Sequence, residues 1–188
     1  MKKLNPSLVG FIIALLICAI SLWIYFSFIQ RKNIQLIDNP TGVSIQVEIN
    51  NQSYSIAPDQ YVEVNLKKGK YTIAVKSEVD SLNLPETTFT VNTQRGVINP
   101  VRANYFIYGM PYGPTVNKDS IFSQRNLTYA GKTYAGDVRL DSSIYIENFY
   151  YNLNEDFPPV ALKSENNSLR RKIFREAEFK QFYFERYE

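Results

Sequence analysis

Leu8 to Ile29 reads LVGFIIALLICAISLWIYFSFI, 22 residues without a charge, within an uncharged stretch from Leu4 to Gln30. As a helix rising 1.5 Å per residue the run is about 33 Å long, enough to cross a hydrocarbon core of about 30 Å. Moving that many apolar groups into lipid outweighs the small penalties of Gly10, Ser21 and Ser27. Trp23 and Tyr25 lie toward the distal end, where amphipathic rings favour the interface, and Arg31 and Lys32 beyond them can snorkel to headgroups. These four are the expected membrane-interface anchors. The pattern predicts a short tail over 1–7 and a transmembrane helix over 8–29, with the bilayer as the first partner. A cleaved signal peptide would end on small residues, whereas this run leaves through Ile24, Tyr25, Phe26 and Phe28. A lipoprotein signal would need a small residue before Cys18, and Ile17 stands there. Cys18 therefore reads as a small apolar filler within the span.

Charge follows the same division. No Asp or Glu precedes Asp38, and four of the 21 Lys and Arg flank the apolar run, which leaves 17 against 18 Asp and Glu in residues 33–188. The basic balance belongs to the flanks of a membrane segment and gives no nucleic-acid surface. Lys2 and Lys3 nearly match Arg31 and Lys32, so the positive-inside rule separates the two sides little. The very short N-terminal tail matches a signal anchor. The expectation is N-terminus inside and residues 33–188 extracytoplasmic, in a bacterial periplasm or at a cell surface. The chain has no histidine and one cysteine, which removes Cys/His zinc sites, histidine-based triads and an internal disulfide.

Residues 34–108 read as a β-sandwich-like module. Asn39–Gly42 is a turn. Val43–Ile49 alternates apolar and polar without a fault, and Asn50-Asn51 suits a two-residue hairpin because Asn tolerates positive φ. Tyr54 and Ile56 continue the return strand. Val62, Val64 and Leu66 share a face of the next, and Tyr71, Ile73 and Val75 a face of another after the Lys67–Gly69 turn. Phe89 and Val91 mark a further strand, ended by a loop over 92–96, and Tyr105–Tyr108 another. Strands at about ten-residue spacing predict an antiparallel sandwich or open barrel.

The series of strand, Asn50-Asn51 turn, strand, then Leu66, Gly69, Tyr71, Ile73 and Val75 at fixed spacing resembles the PEGA-type and carboxypeptidase-regulatory-like β-modules of bacterial envelope proteins. Those families place a Gly just before an aromatic that opens an alternating strand. The resemblance covers about residues 43–91. It implies a structural spacer or adhesion platform and carries over no catalytic residue. One internal echo stands beside it. Asn39-Pro40-Thr41 precedes one strand and Asn99-Pro100-Val101 another, which fits either a duplicated unit or shared turn chemistry.

Tyr108–Pro114, dense in Gly, Pro and Tyr, is a joint to a smaller α+β region over 115–188. Tyr108 and Tyr112, with the later pair Tyr150 and Tyr151, are the candidate rim for a peptide or glycan. Residues 137–140 and 144–146 read as strands, and Phe157-Pro158-Pro159 ends regular structure. Asp137, Asp141, Glu147, Glu155 and Asp156 form an acidic scatter without the spacing of a calcium loop, and are expected to face water. The tail predicts an amphipathic helix over about 168–186, with Ser168 as N-cap, Leu169, Ile173, Ala177 and Phe182 on one face, and Arg170, Arg171, Lys172, Arg175 and Lys180 elsewhere.

The overall expectation is a mainly β chain behind a transmembrane helix, ending in an amphipathic helix. Its expected role is a membrane-anchored interaction or structural module that is not an enzyme, binds no cofactor, metal or nucleic acid, and partners another envelope protein. Glycan or peptidoglycan binding through exposed aromatics is the alternative. No G-x-S-x-G, Walker or dinucleotide fingerprint occurs.

Overall fold

The computed structural model describes residues 6–26, 33–112, 126–157 and 168–187. The chain divides into two compact units, Met1–Lys32 and Asn33–Glu188. In the first, helix α1 spans Pro6–Ile24. Proline suits the opening turn of a helix, where its missing N–H has no partner to lose. Large apolar side chains are exposed along its length, with Phe11 and Trp23 both 64% accessible. Among the described residues no helix is long and apolar enough to cross a membrane. The 19 residues of α1 reach about 28 Å, just short of a hydrocarbon core of about 30 Å. The described helix covers part of the expected 8–29 segment and does not support a membrane span there; residues 27–29 lie outside the described residues.

The second unit is mainly β. Its central sheet is built from β1 (Ile34–Asn39), β4 (Gln60–Val64), β7 (Arg95–Ile98) and β12 (Tyr145–Ile146), in the order β12-β7-β1-β4. The middle strands β1 and β7 are parallel, with Ile37 opposite Ile98, and the outer two are antiparallel to them. A second sheet has the order β3-β2-β5-β6, from β2 (Ile45–Ile49), β3 (Gln52–Ile56), β5 (Gly69–Ser77) and β6 (Leu84–Val91). A third has the order β11-β8-β13, from β8 (Tyr105–Tyr112), β11 (Asp137–Asp141) and β13 (Ser168–Arg175). The hairpin β9 (Asn126–Tyr129) and β10 (Lys132–Ala135) and the helix α2 (Glu176–Tyr187) complete it.

These parts stack in layers. Ile37, Val64 and Ile98 of the central sheet pack on Ile45, Val47, Ile56, Ile73 and Phe89 of the second. From the opposite face Leu36, Val97 and Ile146 pack on Tyr105, Ile107 and Ile173 of the third. The reverse of the third sheet, through Phe106, Tyr108 and Phe174, receives Phe179 and Tyr183 of α2 and Tyr134 of β10. The Phe106 and Phe179 rings stack at 4.5 Å.

The β2–β3 hairpin closes as its sequence requires, with Asn50 and Asn51 at φ 45° and 67° and Ile49 opposite Gln52; two positive φ values match the right-handed twist of the strands. Three other expectations change. The antiparallel scheme fails at β1 and β7, which pair in parallel. β7 begins inside the segment read as a loop over 92–96. The helix expected from 168 begins only at Glu176, and Ser168 opens a strand instead of capping a helix. β13 runs beside β8 over eight residues, from Ser168 opposite Tyr112 to Arg175 opposite Tyr105. Ile173 enters one core and Phe174 the next, so burial on both faces erased the alternation that marks a half-exposed strand.

The Asn-Pro echo has a structural counterpart. Residues sixty positions apart divide between the two cores: Ile37 and Val97, Ile45 and Tyr105, Val47 and Ile107, with Asn39 and Asn99 between. The first of each pair faces the core under the second sheet, or leads to it, and the second does so for the core under the third. Both asparagines are fully buried. Asn39 Nδ2 lies 2.8 Å from Val43 O, 3.1 Å from Ile56 O and 3.0 Å from Ala57 O, while its Oδ1 accepts from Thr41 N and Oγ1. Asn99 Nδ2 donates to Ala103 O at 2.8 Å, and its Oδ1 accepts from Ala103 N at 2.9 Å. Each side chain closes the loop that carries the chain out of the central sheet. Asn39→Ala strips partners from buried carbonyls and is expected to cost about 2–4 kcal/mol in chemical denaturation. Asn99→Ala is expected to cost less, because it frees one carbonyl and one N–H.

Candidate functional site

The two Asn-Pro loops meet at the carboxyl ends of β1 and β7. With the β3–β4 turn and the junction of β13 and α2 they surround a cleft of about 560 Å³, lined by Pro40, Thr41, Asp59, Asn104, Arg175 and the first turn of α2. Under it lies Asp38, fully buried near the end of β1. The Tyr105 hydroxyl donates to Asp38 Oδ2 at 2.5 Å. Arg175 donates Nε to Oδ2 at 3.0 Å and Nη2 to Oδ1 at 2.5 Å. Its Nη1 donates to Asp59 O at 3.0 Å and lies 3.7 Å from Glu178 Oε1. The carboxylate thereby ties β1, β8 and β13 together, and the guanidinium adds the β3–β4 turn.

The electrostatics follow from this packing. The hydrogen bond and charge of Asp38 hold the Arg175 guanidinium above its ordinary value against the opposing effect of burial. Burial, then the adjacent Asp38 charge, pushes the Tyr105 phenol far up, so it stays protonated and donates. With a bidentate guanidinium and a phenol on its two oxygens, Asp38 accepts what a buried carboxylate needs and acts as a clasp. At the rim, Glu176 accepts from Lys180 at 2.5 Å and from the Tyr129 hydroxyl at 2.9 Å, and Asn104 donates to that hydroxyl at 3.0 Å. Lys180 holds the Glu176 carboxyl below its usual range despite the opposing burial.

A second polar cluster lies along β13. Lys172 is buried, and its ammonium donates to Asn152 O at 2.9 Å, to Leu153 O and to Glu155 O. Burial pushes its pKa down. Glu155 pairs with Arg95 and accepts from Asn152 N. Burial raises the Glu155 carboxyl, but that N–H and Arg95 outweigh it and hold it below the ordinary range. The loop over 152–155 is thus pinned by one lysine and one arginine.

The aromatic rim expected from sequence loses Tyr108 to the core. Tyr108 is fully buried, its ring 6.2 Å from Phe179 and 5.7 Å from Phe182. On a strand covered on both faces it fills core, which corrects its assignment to a rim. Tyr112 takes its place in β8 opposite Ser168. Tyr150 is 42% exposed and meets Tyr151 edge-on at 4.8 Å. Arg170 stands over Tyr150 at 5.0 Å and donates to the Tyr151 hydroxyl at 3.1 Å. Trp23 lies in the last turn of α1 and Tyr25 just beyond it, both exposed, while Arg31 and Lys32 lie outside the described residues.

The acidic scatter is dispersed as well. Asp137 pairs with Arg171, Asp141 accepts from Ser143 N, Glu147 accepts from Asn92 and Glu155 from Arg95. Among the described residues no three His, Cys, Asp or Glu side chains gather as a metal would require. Sequence reading missed Asp38, Tyr105 and Arg175. The signal for Asp38 was a lone charge within the otherwise uncharged Ile34–Asn39. Arg175 reads from the sequence as a solvated helix position.

Asp38→Asn leaves the Arg175 guanidinium buried without its counter-charge and is expected to cost about 3–5 kcal/mol in urea denaturation. Arg175→Met in the same chain should restore a large part of that loss, because it removes the stranded charge. Comparison of the chain with protein-family models, with curated proteins and with solved structures finds no match.

Proposed function

We propose that this chain is a single-pass membrane protein of a bacterial envelope, N-terminus inside, whose extracytoplasmic β-unit is a non-catalytic interaction or structural module. The observation that carries the reading is α1 itself. It is an uncharged helix with large apolar side chains exposed on every side, and a helix apolar all round needs lipid or a protein interior as its solvent. The apolar sequence continues to Ile29, and Lys2, Lys3, Arg31 and Lys32 bracket it. Lipid is the first partner and another envelope protein the second.

The non-catalytic part of the reading rests on how the ionisable groups are spent. Asp38, Glu155 and Glu176 each have cationic partners, and Lys172 is held by three carbonyls. None of them stands ready as a general base or nucleophile. The likeness of residues 43–91 to PEGA-type modules points the same way, toward a spacer or platform. The exposed Tyr150 ring, edge-on to Tyr151 beneath Arg170, favours glycan stacking as the second reading.

Protease treatment of intact and permeabilised cells carrying a C-terminal tag tests the topology. The tag should be cut in cells whose outer barrier alone is opened, and the chain should stay with the membrane through alkaline carbonate washing. A tag protected until the inner membrane is breached, or release by carbonate, contradicts the proposal.

A further inference from the structure

Arg171, Gly109 and Asp137 lie side by side across the third sheet, since Gly109 of β8 is opposite Arg171 of β13 and Asp137 of β11. A Cβ on Gly109 would stand 2.5 Å from Asp137 Oδ2. The missing side chain opens the slot in which Asp137 and Arg171 meet, Nε to Oδ2 at 3.0 Å. Arg139, two residues along β11 and so on the same face, brings its Nε to 3.7 Å from Asp137 Oδ1. One carboxylate, 3% exposed, therefore faces both guanidiniums.

Both arginines spend the Nε edge on Asp137. Among the described residues no acceptor meets the Nη atoms of either. Arg139 and Arg171 are 49% and 27% exposed, so those donors reach solvent. The site is also held in place. The Arg171 carbonyl accepts from Tyr150 N at 2.7 Å and from Tyr151 N at 3.0 Å, which fixes the backbone under the guanidinium. Two guanidinium forks around one point offer more donors than a carboxylate's two oxygens can fill, whereas a phosphate presents three oxygens and up to two charges.

We propose that Arg139 and Arg171, positioned by the buried Asp137 in the slot that Gly109 leaves, form a binding site for a phosphate group, carried by a lipid headgroup or free in solution. The site stands independently of the membrane reading.

The test titrates the full-length chain, in neutral detergent micelles at constant ionic strength, with inorganic phosphate followed by calorimetry. Saturable binding is expected, with acetate a poor competitor. Arg139→Gln leaves the Asp137–Arg171 pair intact and should weaken binding about tenfold, the loss of one charge-assisted fork, while Lys76→Gln should change nothing. Should Arg139→Gln fail to fold, Arg139→Lys keeps the charge and loses the fork, and should weaken binding severalfold. Phosphatidic acid, whose headgroup keeps three terminal phosphate oxygens, added to the micelles lowers the apparent phosphate affinity if a headgroup is the occupant and leaves it unchanged if free phosphate is. No saturable binding, or unaltered binding in the folded Arg139 variants, overturns the proposal.

Discussion

The buried pair of Asp38 and Arg175 sets the terms for the rest of the second unit. Asp38 sits near the end of β1, a strand covered on both faces, where an unpaired carboxylate would cost several kcal/mol. The guanidinium that neutralises it comes from the last residue of β13, 137 positions along the chain. The clasp therefore cannot close until the third sheet has formed beside the central one. Its second ligand, Tyr105, opens β8. The junction of β13 and α2 and the cleft over the Asn-Pro loops lie where these three residues meet.

Around that clasp the layers share one logic. β1 and β7 run parallel, and each ends in an Asn-Pro loop whose buried asparagine turns the chain out to a different sheet. One loop leads to β2 and the core of Ile45, Val47 and Ile73; the other leads to β8 and the core of Tyr105 and Ile107. The sixty-residue offset that links Asn39 to Asn99 also exchanges the two faces of the central sheet. The echo noticed in the turn sequences is thus carried through the strands that follow them.

What could be read from the sequence was what water leaves visible. β2 alternates buried and exposed residues, so its period of two stands out, and Asn50-Asn51 marks its hairpin. β1 and β13 carry no such signal, because each is covered on both faces and mixes apolar with charged residues. β13 places Ile173 and Phe174 in successive cores and Arg175 on a buried carboxylate, and that sequence imitates a helical stripe. The same blindness hid the clasp. A charge inside a covered strand has meaning only once its partner, far away in the chain, is known. Tyr108 was misplaced for a related reason, since an aromatic beside a Gly-Pro joint reads as loop until the helix that covers it is seen.

The central claim is that β1, locked to β13 by Asp38 and Arg175, and its parallel neighbour β7 form the last part of the second unit to come apart. Native-state hydrogen exchange on the full-length chain tests it most directly. The amides that β1 and β7 share should exchange slowest, at the rate of global unfolding, and those of the outer strands β3 and β6 well before them. If β1 exchanges as fast as β3, the central sheet is no core and the account built on its clasp is wrong.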